Sequence, residues 1–142
     1  MRPLAWFLFL ALAVLLAGCG KKQTSFGDAA SLAAAFDAAM SKGDLAAAAD
    51  LFAIELWCKQ NSTDWEMYAP QQRTEIIQKM TKDKATELGG LGYVAGGYTI
   101  EAPQPVQNGQ LVRFIPKQDG AGLVLNCIQT DTGYLIFSVS SG

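Results

Sequence analysis

Phe36-Asp37-Ala38-Ala39-Met40-Ser41-Lys42-Gly43-Asp44-Leu45-Ala46-Ala47-Ala48-Ala49-Asp50-Leu51-Phe52 is the stretch whose reading decides the fold. Upstream of it, Asp28 and Ser31 are both good helix N-caps. Leu32, Ala35, Phe36, Ala39 and Met40 then recur at the spacing of one helical face. Lys42-Gly43-Asp44 supplies a glycine stop and a fresh N-cap within three residues, so the next helix must fold back beside the first. Leu45, Ala48, Ala49, Phe52 and Leu56 repeat the spacing and predict a second continuous helix. Its alanines favour helix and let the two backbones approach closely.

Working outward, residues 58–69 form a connector holding Trp65 and Tyr68. Pro70 suits the first turn of a third helix. Ile76, Ile77, Met80 and Leu88 give that helix a weak apolar stripe, so only one side is expected to be buried before Gly89-Gly90 ends it. The run Gly89-Gly90-Leu91-Gly92-Tyr93-Val94-Ala95-Gly96-Gly97 lacks the lysine and hydroxyl residue that close a phosphate-cradling loop. It also follows a helix and precedes strands, the reverse of a dinucleotide fingerprint. It reads as a flexible joint, with a pocket rim as the alternative.

Beyond Tyr98 the period switches from helical to alternating. Tyr98 to Ala102, Leu111 to Ile115, Leu123 to Gln129 and Tyr134 to Val139 read as about four strands. Pro103 and Pro105 mark an edge or kink. Asn108-Gly109, Asp119-Gly120-Ala121-Gly122 and Asp131-Thr132-Gly133 are the turns. Two or three helices followed by an antiparallel meander define an α+β fold, with the helices packed on one face of a curved sheet.

The amino terminus carries a different message. Met1-Arg2 is a short positive head, and Leu4 to Leu16 is an apolar run of about 13 residues, shorter than the roughly 20 needed to span a bilayer. It closes on Leu16-Ala17-Gly18-Cys19. These four residues resemble the lipobox of bacterial lipoproteins. The resemblance implies a leader over 1–18 that is cleaved before Cys19. It also implies lipid on the Cys19 sulfur, a tether over 19–27 and a single domain over 28–142. A tether of roughly eight residues reaches at most about 28 Å. Lys21 and Lys22 either touch anionic headgroups or serve as a solvated spacer. Gly20 stands where such proteins carry an inner-membrane retention aspartate, which implies outer-membrane sorting with the domain facing the periplasm. The helix, Lys-Gly-Asp turn, helix and meander in turn resemble the nuclear-transport-factor-2-like cone, with Gly133-Tyr134-Leu135-Ile136-Phe137 at the position of its closing strand.

Composition limits the chemistry. The chain of 142 residues has 11 basic and 13 acidic side chains, a net charge of −2 and no histidine. Without a basic patch, nucleic-acid binding is not expected. With Cys19 given to lipid, Cys58 and Cys127 remain. In an exported domain they are expected to form a disulfide closing a loop of about 70 residues, worth roughly 4 kcal/mol; two buried free thiols are the alternative. No Cys-x-x-Cys spacing is present, and without histidine a zinc shell is not expected.

Enzymes of the ketosteroid-isomerase type on the cone scaffold use a carboxylate base with hydroxyl donors. The resemblance makes Asp64, Glu101, Tyr93, Tyr98 and Tyr134 the residues to inspect. No cofactor, metal or catalytic constellation is expected. The reading favoured is a non-catalytic binding or adaptor module contacting an envelope protein or a small apolar ligand. Trp57, Trp65, Tyr68, Tyr93, Tyr98 and Tyr134 are its candidate pocket or interface residues, and a structural or stress-related envelope lipoprotein is the alternative.

Overall fold

The computed structural model describes residues 23–142; the leader, Cys19, Lys21 and Lys22 lie outside the described residues. Helix α1 (Ala29–Ser41) begins where Asp28 accepts a 2.7 Å bond from the Ser31 amide, which also holds the Asp28 carboxyl below its usual range. It buries Ala29, Leu32, Ala33, Phe36, Ala39 and Met40, the face that its spacing predicts. Gly43 takes φ +71° in the turn, a conformation that favours glycine, and Asp44 caps the next helix through the Ala47 amide at 3.1 Å.

The second helix departs from expectation. Helix α2 covers only Leu45–Ala49, and the chain resumes as α3 (Ile54–Asn61). Between them the main chain leaves the helix to pair with the sheet. The Ile136 amide donates to the Leu51 carbonyl at 2.9 Å, and the Ala53 amide donates to the Ile136 carbonyl at 2.8 Å. Two hydrogen bonds to a strand edge thus replace the helical ones, and Phe52 drops fully into the core.

A short 3-10 turn (Trp65–Met67) leads to α4 (Pro70–Gly89), which starts on Pro70 as expected. The Ala69 amide is satisfied by Gln72 Oε1 at 2.9 Å. Leu88 is its one buried residue, with Ile76, Ile77, Met80 and Ala85 half-buried along one stripe. The helix therefore covers the domain with a single side, against α2 and α3.

The strands are β1 (Tyr98–Ile100), β2 (Gln104–Val106), β3 (Gly109–Pro116), β4 (Leu123–Thr130) and β5 (Gly133–Ser141). They form one antiparallel sheet in the order β1-β3-β4-β5, with β2 also paired to β3. The fold is α+β, helices first and sheet after. The sheet has five strands where about four were expected, because the short exposed segment around Pro105 pairs as an edge strand. Asn108 carries the positive φ (+67°) of the β2–β3 turn, whose corner is Gln107-Asn108. Gly109 already belongs to β3, and a Cβ there would sit 2.0 Å from the Cys127 carbonyl oxygen.

Val112, Phe114, Leu123, Leu125, Cys127 and Ile136 point to the helices and join Leu32, Phe36 and Phe52 in one core. Phe36 meets Phe52, Tyr93 and Phe114 edge-on at centroid distances of 6.4, 6.0 and 6.0 Å. Large aromatic rings thus fill the space between helices and sheet.

Two further expectations are corrected. Cys58 and Cys127 are both free and buried, so the expected disulfide is not formed. Cys58 Sγ instead lies 3.3 Å from Met80 Sδ, and burial raises both thiols above their ordinary pKa, Cys127 to about 11. The end of the segment expected as a tether over 19–27 is also part of the domain. Gln23, Ser25 and Phe26 already bond to the domain, Phe26 as an antiparallel bridge to Tyr134.

Candidate functional site

The site follows from the interrupted helix. Because the chain breaks at Asp50 and restarts at Ile54, Phe52 points inward while Trp57, one turn into α3, points outward and is 42% exposed. On the opposite wall, Met80, Asp83, Lys84 and Glu87 of α4 recur at helical spacing and face the same space. Phe137 and Ser138 of β5 close the third side.

A β-bulge aims the last of these. The β4–β5 register shifts between Asn126 and Cys127, pairing Cys127 with Ile136 and Asn126 with Ser138, so Phe137 has no cross-strand partner. Together these elements enclose an open groove of about 320 Å³. Its aromatic surfaces are Phe52, Trp57 and Phe137.

The electrostatics of the groove are locally balanced. Lys84 Nζ sits 5.0 Å from the Phe52 ring centroid and 2.8 Å from Glu87 Oε2. Asp83 is paired at 2.9 Å with Lys79, a residue that lies outside the groove lining. Cys58 lies behind Met80, and its thiol is held protonated first by burial and then by the Glu55 charge. The groove thus offers apolar and aromatic area with an ion-paired rim. A lining of this kind offers contact area to an apolar ligand or surface. Among the described residues, no cluster of three or more acidic or sulfur side chains is arranged to hold a metal.

Of the six aromatic candidates, the structure brings only Trp57 into this groove. Trp65 is 2% exposed, with the Arg73 guanidinium 5.9 Å from its ring and Tyr68 edge-on at 6.2 Å. Arg73 Nε also donates to the Trp65 carbonyl at 3.0 Å, so this cluster fastens the connector to α4. Tyr93 and Tyr98 stack 4.8 Å apart at the rim of the Phe36–Phe114 core. Tyr93 donates to Asp37 Oδ1, which ties the glycine-rich segment to α1; its hydroxyl pKa is raised by burial and by that bond. The segment expected to be a flexible joint is therefore clamped at its centre. Tyr134 is engaged through its backbone with Phe26. Asp64 and Glu101 are both exposed, and neither lines the groove.

A second hollow of about 460 Å³, lined by Arg113, Ile115, Val124 and the terminal Gly142, is shallower and lies at the end of the sheet. Sequence reasoning missed Met80, Lys84 and Phe137. The first two lie on the α4 stripe and so left a signal; Phe137 depends on the bulge, which has none. No family model, curated protein or solved structure matches the chain. Among the described residues, no helix is long and apolar enough to cross a membrane.

Proposed function

We propose that the chain is a lipid-anchored bacterial envelope lipoprotein whose domain is a non-catalytic binding module facing the periplasm. The groove between α4 and β5 is its binding surface. One observation carries the reading: the space between helices and sheet is filled by Phe36, Phe52 and Phe114, while an exposed tryptophan lines an open groove at the sheet edge. Exposed aromatic surface beside a packed core is a common feature of contact sites. The nuclear-transport-factor-2-like reading belongs to the same proposal, supported by the order of helices and meander. An isomerase-like activity has less support, because Asp64 and Glu101 are exposed and outside the groove.

The test is photocrosslinking in intact envelopes, with the crosslinking amino acid placed at Trp57 or, for comparison, at Val94, which is 59% exposed on the glycine-rich segment. Adducts from position 57 and none from 94 are expected. Equal yields from the two positions, or none from 57, would remove the groove from the binding reading.

A further inference from the structure

The place of the groove relative to the chain's entry point carries one more step, which rests on the lipid-anchored reading. Gln23 Nε2 donates to the carbonyls of Asp50 at 3.0 Å and Phe52 at 2.6 Å, and Phe52 lines the groove. Ser25 Oγ donates to the Thr132 carbonyl at 2.7 Å, and Phe26 pairs antiparallel with Tyr134. The antiparallel bridge fixes a direction. Chain preceding Phe26 heads from Tyr134 toward Ile136 along β5, the end of that edge where Phe137 and the groove lie.

Three residues, Gly20, Lys21 and Lys22, separate Gln23 from Cys19. Fully extended, that connection spans about 14 Å between the Cα atoms of Cys19 and Gln23. Headgroup regions are themselves several ångströms deep, roughly 5–8 Å per leaflet. An acylated Cys19 therefore holds the Gln23 end of the domain against the bilayer surface, and the groove beside it with it.

The groove's chemistry suits that position. Trp57 is an amphipathic ring of the kind that settles at the boundary between headgroups and acyl chains. The charges around it are paired among themselves: Lys59 with Glu55, Lys84 with Glu87 and Lys79 with Asp83. Contact therefore depends on apolar burial and on the short tether, and zwitterionic lipid suffices. We propose that the α4–β5 groove is the surface by which the domain rests on the phospholipid bilayer that holds Cys19, with Trp57 inserted at the interface.

The experiment uses the full mature lipidated protein in phosphatidylcholine vesicles, with or without brominated acyl chains that quench tryptophan on contact. Maturation removes Trp6, leaving Trp57 on the surface and Trp65 in the core. Brominated lipid is expected to quench the wild-type emission, and Trp57→Phe is expected to abolish the quenching while circular dichroism stays unchanged. Acylation of Cys19 is read by mass on the same sample. An acylated protein that is not quenched, or quenching that survives in Trp57→Phe, overturns the proposal and leaves the anchor standing. An unacylated Cys19 removes the anchor reading and this inference with it.

Discussion

Tyr93→Phe deletes one oxygen from the contact between the glycine-rich segment and α1, and it separates two roles for this tyrosine. Its hydroxyl donates to Asp37 Oδ1 while its ring packs on Phe36, Tyr98 and Phe114. A hydrogen bond to a charged acceptor contributes about 1.5–3 kcal/mol, and half-burial of both partners leaves about 1–2 kcal/mol after partial screening. Small domains are stable by about 5–15 kcal/mol, so the loss is measurable. With a urea slope of about 1–3 kcal/mol/M, the midpoint of Tyr93→Phe is expected to fall by roughly 0.5–1 M with the slope unchanged. Asp37→Asn and the double variant complete a cycle, in which coupling of at least about 0.5 kcal/mol is expected.

The pH sign is fixed by the raised hydroxyl pKa. The stabilisation is present below the ordinary 10.0 of tyrosine and is lost as pH rises beyond it, and the loss is shallower in Tyr93→Phe. A Tyr93→Phe midpoint equal to wild type, or a cycle without coupling, would refute the clamp and return the hydroxyl to the candidates for ligand contact.

Three other outcomes follow from the packing. Intact mass is expected to be the same with and without reductant, and thiol reagents should label Cys58 and Cys127 only after urea is added; a mass about 2 Da lighter without reductant would restore the disulfide. Because burial lifts the Cys127 thiol from 9.0 to about 11, the unfolded chain loses that proton first. Stability should fall by roughly 2–3 kcal/mol as pH rises from 9 to 11, at about 1.36 kcal/mol per pKa unit, and Cys127→Val should flatten that limb in urea titrations. Gly109→Ala drives a methyl into the Cys127 carbonyl at 2.0 Å and is expected to cost at least about 3 kcal/mol, at the top of the overpacking range, by thermal melting. Gly27→Ala, which meets nothing within 4 Å, is its neutral control.

How far the sequence carries this fold depends on whether the signal is local. Helix α1 was legible because its cap, its apolar spacing and its glycine stop all lie within the segment that folds. Pro70 and the stripe through Ile76, Ile77 and Met80 likewise announced a one-sided α4. The interruption at 50–53 was not legible, because Leu45, Phe52 and Leu56 keep helical spacing straight through it. What breaks that helix is Ile136, more than eighty residues away, offering a carbonyl and an amide. The six aromatic candidates could not be told apart for a related reason, and only Trp57 among them lines the groove. Residue type marks Trp57 and Trp65 as equivalent, and only tertiary packing makes one a groove wall and the other part of the core.

The groove itself answers to a problem of sheet edges. Strand β5 lies at an edge of the sheet and runs from Gly133 to Ser141, and an open edge of that length invites pairing with other chains. The chain covers its first half twice, with Phe26 against Tyr134 and then Phe52 against Ile136. The second cover requires α2 to stop at Ala49, and it is why Phe52 and Trp57 end up on opposite sides of the backbone. Among the described residues, nothing pairs with the outer edge past Ile136. The bulge turns Phe137 aside there, and α4 stands across the gap without filling it. The uncovered part of the edge, the exposed tryptophan and the point where the chain leads back toward Cys19 thus coincide at one end of the domain. On the lipid-anchored reading proposed above, a short anchor would hold that same end at the membrane, and the part of β5 left unpaired by the fold would be the part the bilayer shields.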